Sequence, residues 1–297
     1  MVPASETHPS DRLAVVLPIA AVIAAMASFQ LGAAFAKSLF PVLGPLGTAT
    51  LRVVLGAAVL VVFGRPWRNW PTPARLFPLV AFGVAMVATI LMFYFAIARL
   101  PLGVAMALQF LGPLGLAVAG SRRAIDLVWA GLAGLGVWGL TLAGQGSLTL
   151  DWVGVLWGIG AGAGWACYIV FGRAASKAFG GATAGLSMVI GAVLMLPFGL
   201  HEAREVIWTT ALIGPAIGLA LFTAAIPLTL DLYAMPRMKA QTFSIFMSLE
   251  PAFAVAVGYV FLQERLAAFQ IIGIVAVMLA ALGSSWSATA ADQDQTS

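Results

Sequence analysis

Two formal charges, Arg52 and Glu250, stand well inside apolar stretches of this chain, and a third, Asp231, stands near the end of one. A charge at the centre of a bilayer costs roughly 2.5–3.5 kcal/mol on insertion scales, so such residues are rare and usually functional. Glu250 lies near the middle of 240–262 and is followed directly by Pro251. A proline there removes a backbone donor and frees a carbonyl one turn back, which a lipid-facing helix tolerates poorly. The stretch is therefore expected to line a polar route. Arg52 and Glu250 can pair with each other and hold two segments together. Alternatively one of them meets the carboxylate or amine of a solute, or Glu250 takes up a proton. Residue types alone leave both readings open.

A second set of side chains offers polarity without formal charge. Gln30 and Gln109 carry amides that suit a zwitterionic head group; interhelical hydrogen bonds of about 0.6 kcal/mol each explain Gln30 equally well, while Gln109 is better placed, near midplane and one turn before Pro113. Phe93, Tyr94, Trp165 and Tyr168 can wall a pocket, with Trp165 placed to cap it. Asp231 and Tyr233 fall where their apolar segment ends. There Asp231 reads first as a solvated end charge paired with Arg237, and second as a receiver of a substrate amine. Lys37 and Arg173 read as helix-end cations that snorkel to the interface.

Other chemistries lack their parts. His8 and His201 lie outside the apolar segments, and there is no HExxH pattern, GxSxG elbow or Walker motif. No enzymatic reaction, metal or cofactor is expected. Gly158, Gly160, Gly162 and Gly164 alternate like a phosphate loop but fail its spacing, and their four-residue recurrence suits close helix packing. The net charge of +4 is spread over short loops, so nucleic acid is not a partner. The single Cys167 can form no intrachain disulfide.

The elements that must position these residues are set by composition. Of 297 residues, 62% are hydrophobic and 9% charged, against about 25% charged in soluble chains. Ten apolar segments can be counted, at 13–35, 44–63, 76–98, 102–120, 126–144, 152–172, 181–199, 209–232, 240–262 and 266–286. Each is near the roughly 20 residues that span a bilayer as a helix. With the N-terminus inside, loops on the cytoplasmic side hold ten Lys and Arg and the other side four, which favours both termini in the cytoplasm. The polar start lacks a basic n-region, so no cleaved signal peptide is expected.

An internal repeat orders the segments. Phe29 and Lys37 match Trp165 and Arg173, Leu111-Gly112-Pro113 matches Leu249-Glu250-Pro251, and Arg123 with Gly131 matches Arg265 with Gly273. The expected organisation is an all-α membrane protein with a tail over 1–12, five-helix repeats over 13–144 and 145–286, and a tail over 287–297. Five spans per repeat is an odd number, so the halves must be inverted, with a substrate site near the midplane between them. The matched prolines predict a bent backbone in each half, while the charge belongs to one half alone.

Met26-Ala27-Ser28, Ala36-Lys37-Ser38-Leu39-Phe40-Pro41, Pro101-Leu102-Gly103-Val104-Ala105, Ser121-Arg122-Arg123, Gly164-Trp165-Ala166 and Met247-Ser248-Leu249-Glu250-Pro251 carry a family resemblance. From about Leu13 to Gly283 the chain resembles the drug/metabolite transporter superfamily of EamA type, and within it the bacterial threonine/homoserine exporters. The resemblance implies ten helices in two inverted repeats in the bacterial inner membrane. It also implies export of small neutral amino acids, with proton exchange. Related exporters take aromatic or sulfur amino acids, which is the alternative. The chain departs from the pattern at Gln109, where an acid is expected, which counts against a pair of central carboxylates. Oligomeric state, monomer or higher, is left open.

Overall fold

The computed structural model describes residues 9–64, 76–120, 123–142, 151–179, 182–203, 213–234, 237–238 and 240–294. Of the cations used to orient the chain, Arg65, Arg68, Arg75, Arg122, Arg204 and Lys239 lie outside the described residues. The longest helical run, α1 (Pro9–Gly64), is two helices joined at Gly44, whose φ of 65° and ψ of 167° are not helical. Glycine reaches a positive φ without a Cβ penalty, and Pro45 drives the residue before it out of the helical region. The first arm of α1 is thus 9–43 and the second 45–64.

Six further helices follow: α2 (Leu76–Ile97), α3 (Leu102–Gly120), α4 (Ala124–Leu142), α5 (Trp152–Phe179), α6 (Thr183–Ala203) and α7 (Ile213–Ala220). A π-helical turn (Leu221–Ala225) then leads without a gap into α8 (Ile226–Ala234). The last three are α9 (Ala240–Met247), α10 (Glu250–Leu262) and α11 (Ala268–Asp294). Seven stretches among the described residues are long and apolar enough to cross a membrane, the first of them a 47-residue run holding both arms of α1. Two shorter apolar helices, Ala124–Leu140 and Thr183–Gly199, accompany them. Large apolar side chains stay exposed on the outer faces, among them Leu127, Leu135, Phe198 and Ile272. Apolar surface on that scale suits lipid rather than water.

The two matched prolines behave differently. At 248–249 the helix is interrupted, because Pro251 has no N–H to give; Leu249 N bonds Phe246 O at 2.9 Å and Ala252 N bonds Leu249 O at 2.9 Å, tighter turns that end α9 and start α10. By contrast α3 runs through Pro113 uninterrupted. The proline of the second half interrupts its helix and that of the first half does not.

The alternating glycines do pack helices. The core joins α1, α2, α3, α5, α6 and α10, with Val53, Tyr94, Ile97, Leu102 and Leu108 fully buried. Where α3 crosses α5, the backbones of Gly112 and Gly162 touch, and a Cβ at Gly112 would run into the Gly162 carbonyl. Gly158 lies on Leu108 and Gly164 on Thr89. Just before α5, Asp151 accepts from Val153 N at 2.8 Å and Gly154 N at 3.2 Å, and it pairs with Arg99 at 2.6 Å. The Arg99 hydrogen bond, helped by those two amides, holds the Asp151 carboxyl below the usual carboxylate range.

Candidate functional site

A cavity of about 350 Å³ lies between α1, α2, α3, α5, α6, α8 and the α9–α10 junction. Its size is at the small end of ligand sites, which run from about 300 to 1,000 Å³. Arg52, Phe93, Gln109, Trp165, Tyr168, Asp231 and Glu250 all line it. Seven side chains singled out by type and spacing therefore meet in one place.

Arg52 reaches it from the second arm of α1. Its guanidinium carbon lies 5.1 Å from the Phe29 ring centroid and 5.6 Å from that of Tyr94. Cation–π contacts of this kind are worth about 2 kcal/mol or more when desolvated, and they keep the cation without neutralising it. Arg52 is 7% exposed, and its Nε has no hydrogen-bond partner. Glu250 enters from the other half of the chain, in the first turn of α10, where the helix dipole favours an anion. Gln30 Nε2 donates to Glu250 Oε1 at 3.4 Å. No ion pair joins Arg52 to Glu250, so the pairing considered for them is replaced by aromatic contacts for the cation and an amide for the anion.

Asp231 corrects a second expectation. It lines the cavity from α8, its Oδ1 is buried without a partner, and no ion pair links it to Arg237. Arg237 instead donates from Nη1 to Tyr233 O at 2.8 Å and lies 4.2 Å over the Tyr233 ring. Tyr233 is 37% exposed and is not in the cavity wall. Successive helical residues turn by about 100°, so a residue two places from Asp231 faces almost the opposite way. Two carboxylates, Asp231 and Glu250, thus share the cavity despite the missing acid at Gln109, whose Oε1 is buried and unpartnered.

Gln30 and Tyr94 stand behind the wall. Gln30 touches the site through Glu250 and Tyr94 through Arg52, and both are fully buried. The aromatic residues are braced: Trp165 is edge-on to Phe110 at 5.1 Å, and Tyr168 lies 4.6 Å from Phe82. The methionines carried no signal in the sequence. Met26, Met86, Met106, Met188 and Met247 come from five different segments and form much of the apolar wall. Lys37, expected as an interfacial helix-end cation, is paired. Lys37 Nζ pairs with Glu264 Oε1 at 2.6 Å and donates to Leu100 O at 2.8 Å. Among the described residues no cluster of His, Cys, Asp and Glu could hold a metal.

One buried arginine, two carboxylates and the Gln109 amide line a small, largely apolar chamber inside a bundle of apolar helices, with Gln30 behind Glu250. Residues 152–286 match the EamA-like transporter family. The chain is 39% identical over 274 residues to the threonine/homoserine exporter RhtA of Escherichia coli strain K12, covering 92% of this chain and 93% of that protein. It belongs to this family, in the drug/metabolite transporter superfamily, and is a multi-pass inner-membrane transporter rather than an enzyme. The threonine/homoserine exporter RhtA of Salmonella typhimurium strain LT2 is 38% identical over the same length. A protein of known crystal structure, 17% identical, shares the fold with a TM-score of 0.57 over 94% of this chain and 98% of its own.

Proposed function

We propose that this protein exports small neutral amino acids of the threonine and homoserine kind by alternating access between two inverted five-helix halves, in exchange for protons, with both termini in the cytoplasm. The observation that carries it is that Arg52 lines the same cavity as Asp231 and Glu250 without an ion pair between them. Opposite charges kept apart in a low-dielectric chamber match the carboxylate and ammonium of an amino acid. In this scheme Arg52 Nε and its neighbouring N–H groups hold the carboxylate, Asp231 holds the ammonium, and Glu250 carries the proton that returns when the substrate leaves. The relatives named as threonine/homoserine exporters support the substrate class.

The methionine wall favours a broader range on the same site. Met side chains are flexible and polarizable and recur at promiscuous binding surfaces. The wall's two threonine hydroxyls are already bonded to their own helices, Thr89 to Ala85 O at 2.7 Å and Thr223 to Leu219 O at 2.6 Å. Longer apolar or sulfur-containing side chains would therefore be carried beside threonine.

The test is flux of labelled threonine, homoserine, methionine and tryptophan in proteoliposomes, with and without a pH gradient. Threonine counterflow that accelerates with an inward proton gradient is expected. Absence of flux for every amino acid under both conditions would sink the proposal.

A further inference from the structure

The cavity wall reaches towards one end of the bundle, and buried apolar core fills the other. Its wall includes Leu60 near the end of α1, Phe82 in the first half of α2, Ala184 and Ser187 in the first turns of α6, and Asp231 near the end of α8. All of these lie towards the same end. The opposite end is marked by the α2–α3 connection and by the chain leaving α10. There Ile97, Leu100 and Leu102 are at most 2% exposed and form an apolar plug.

A polar clasp sits on that plug. Lys37, from the first arm of α1, pairs with Glu264 Oε1 at 2.6 Å and donates to Leu100 O at 2.8 Å. The second carboxylate oxygen, Glu264 Oε2, accepts from Leu102 N at 2.7 Å. One carboxylate and one ammonium thereby fasten three separate parts of the chain. The backbone is shaped for it. Gln263 adopts a left-handed φ of 55° that ends α10, and Glu264 N bonds back to Gly258 O at 3.0 Å. Gly258 leaves room for the carboxylate, since a Cβ there would collide with Glu264 Oε2.

We infer that Lys37 and Glu264 form an ionic latch that keeps this end of the cavity shut and must part before the cavity opens on that side. The inference rests on the alternating-access proposal above. An ion pair suits the task better than more apolar surface. The two side chains keep 22% and 13% of their exposure, so each ion rehydrates as the clasp parts. Charge-assisted bonds are also short and directional, so all of them are lost together when one element moves.

The test uses the full chain with Cys167→Ser and a reporter, Met106→Cys, in membrane vesicles of both orientations. A membrane-impermeant maleimide is applied to one face at a time. With the latch intact, labelling is expected from one face only. Minor states of a two-state protein are populated at roughly 0.1–10%, so releasing the latch with Lys37→Met/Glu264→Gln should raise labelling from the second face by about tenfold or more. Glu264→Asp keeps the charge and shortens the reach, and it should produce a smaller rise on the same face. This second variant decides the matter where the neutral pair does not fold. Labelling that stays confined to the first face in a folded variant, with only thermal stability lowered, would make the pair a structural brace and overturn the latch. The readout needs no substrate. A latch response in protein that carries no threonine would count against the substrate proposal alone.

Discussion

Gln30 Nε2 donates to Glu250 Oε1 across 3.4 Å, joining the first arm of α1 to the first turn of α10 although 220 residues separate them in sequence. The bond holds the Glu250 carboxyl at the cavity wall. Glu250→Gln keeps an acceptor for Gln30 and removes only the charge and the titratable proton. Transport should therefore fall and lose its dependence on a pH gradient, while thermal stability in detergent stays close to wild type. Glu250→Leu removes the acceptor as well. Stranding a buried donor costs about 1–3 kcal/mol, so this variant should also melt earlier. Wild-type flux with unchanged pH dependence in Glu250→Gln would remove Glu250 from coupling.

Arg52 tests carboxylate recognition. Hydrogen bonds to charged groups contribute about 1.5–3 kcal/mol, so losing the guanidinium should raise KM for threonine by roughly tenfold to a hundredfold. Arg52→Lys keeps the charge but loses the guanidinium's contacts with the Phe29 and Tyr94 rings, and it should recover only part of that. The measurement is concentration-dependent uptake by both variants. Equal KM for Arg52→Lys, Arg52→Met and wild type would place the substrate carboxylate elsewhere.

Four of the seven cavity residues, Arg52, Gln109, Asp231 and Glu250, were legible because charge and amide are conspicuous in apolar segments. Helical rotation, applied strictly, would have sorted the rest. Phe93 and Tyr94 are about 100° apart, so when one faces the cavity the other turns into the core. Asp231 and Arg237 are six residues apart, beyond the three- and four-residue spacings that bring helical side chains together. The contacts that sequence could not reveal are long-range. Lys37 finds Glu264 across 227 residues, and the five wall methionines arrive from five segments with no shared local pattern. The interruption before Glu250 was announced by Pro251, but the same signal at Pro113 produced none, because a helix can absorb a proline where neighbouring packing holds it.

Asp151 supplies a pH prediction outside the membrane segments. Its carboxyl is held below its ordinary range by Arg99 and two α5 amides, so the folded state favours the ionised form. Stability from this group is complete above the unfolded value of about 4 and is lost as pH falls through the lower folded value. Melting temperature should therefore decline on acidification below that range. Asp151→Asn should remove part of the decline and melt earlier at neutral pH. An identical acid profile for Asp151→Asn and wild type would show that the carboxylate adds nothing to the fold.

The crossing of α3 over α5 separates packing from function. Gly112 meets the Gly162 backbone directly, whereas Gly115, one turn further along α3, has open space where a Cβ would go. Forcing a methyl into a filled contact typically costs about 1–3 kcal/mol, because rigid backbone on both sides cannot yield as a side chain would. Gly112→Ala should therefore lower the melting temperature in detergent or prevent folding. Gly115→Ala should be neutral or slightly stabilising, since alanine is favoured over glycine in a helix by up to about 1 kcal/mol. Paired unfolding curves for the two variants make the comparison. Equal stability would mean that the two backbones are not in contact at Gly112.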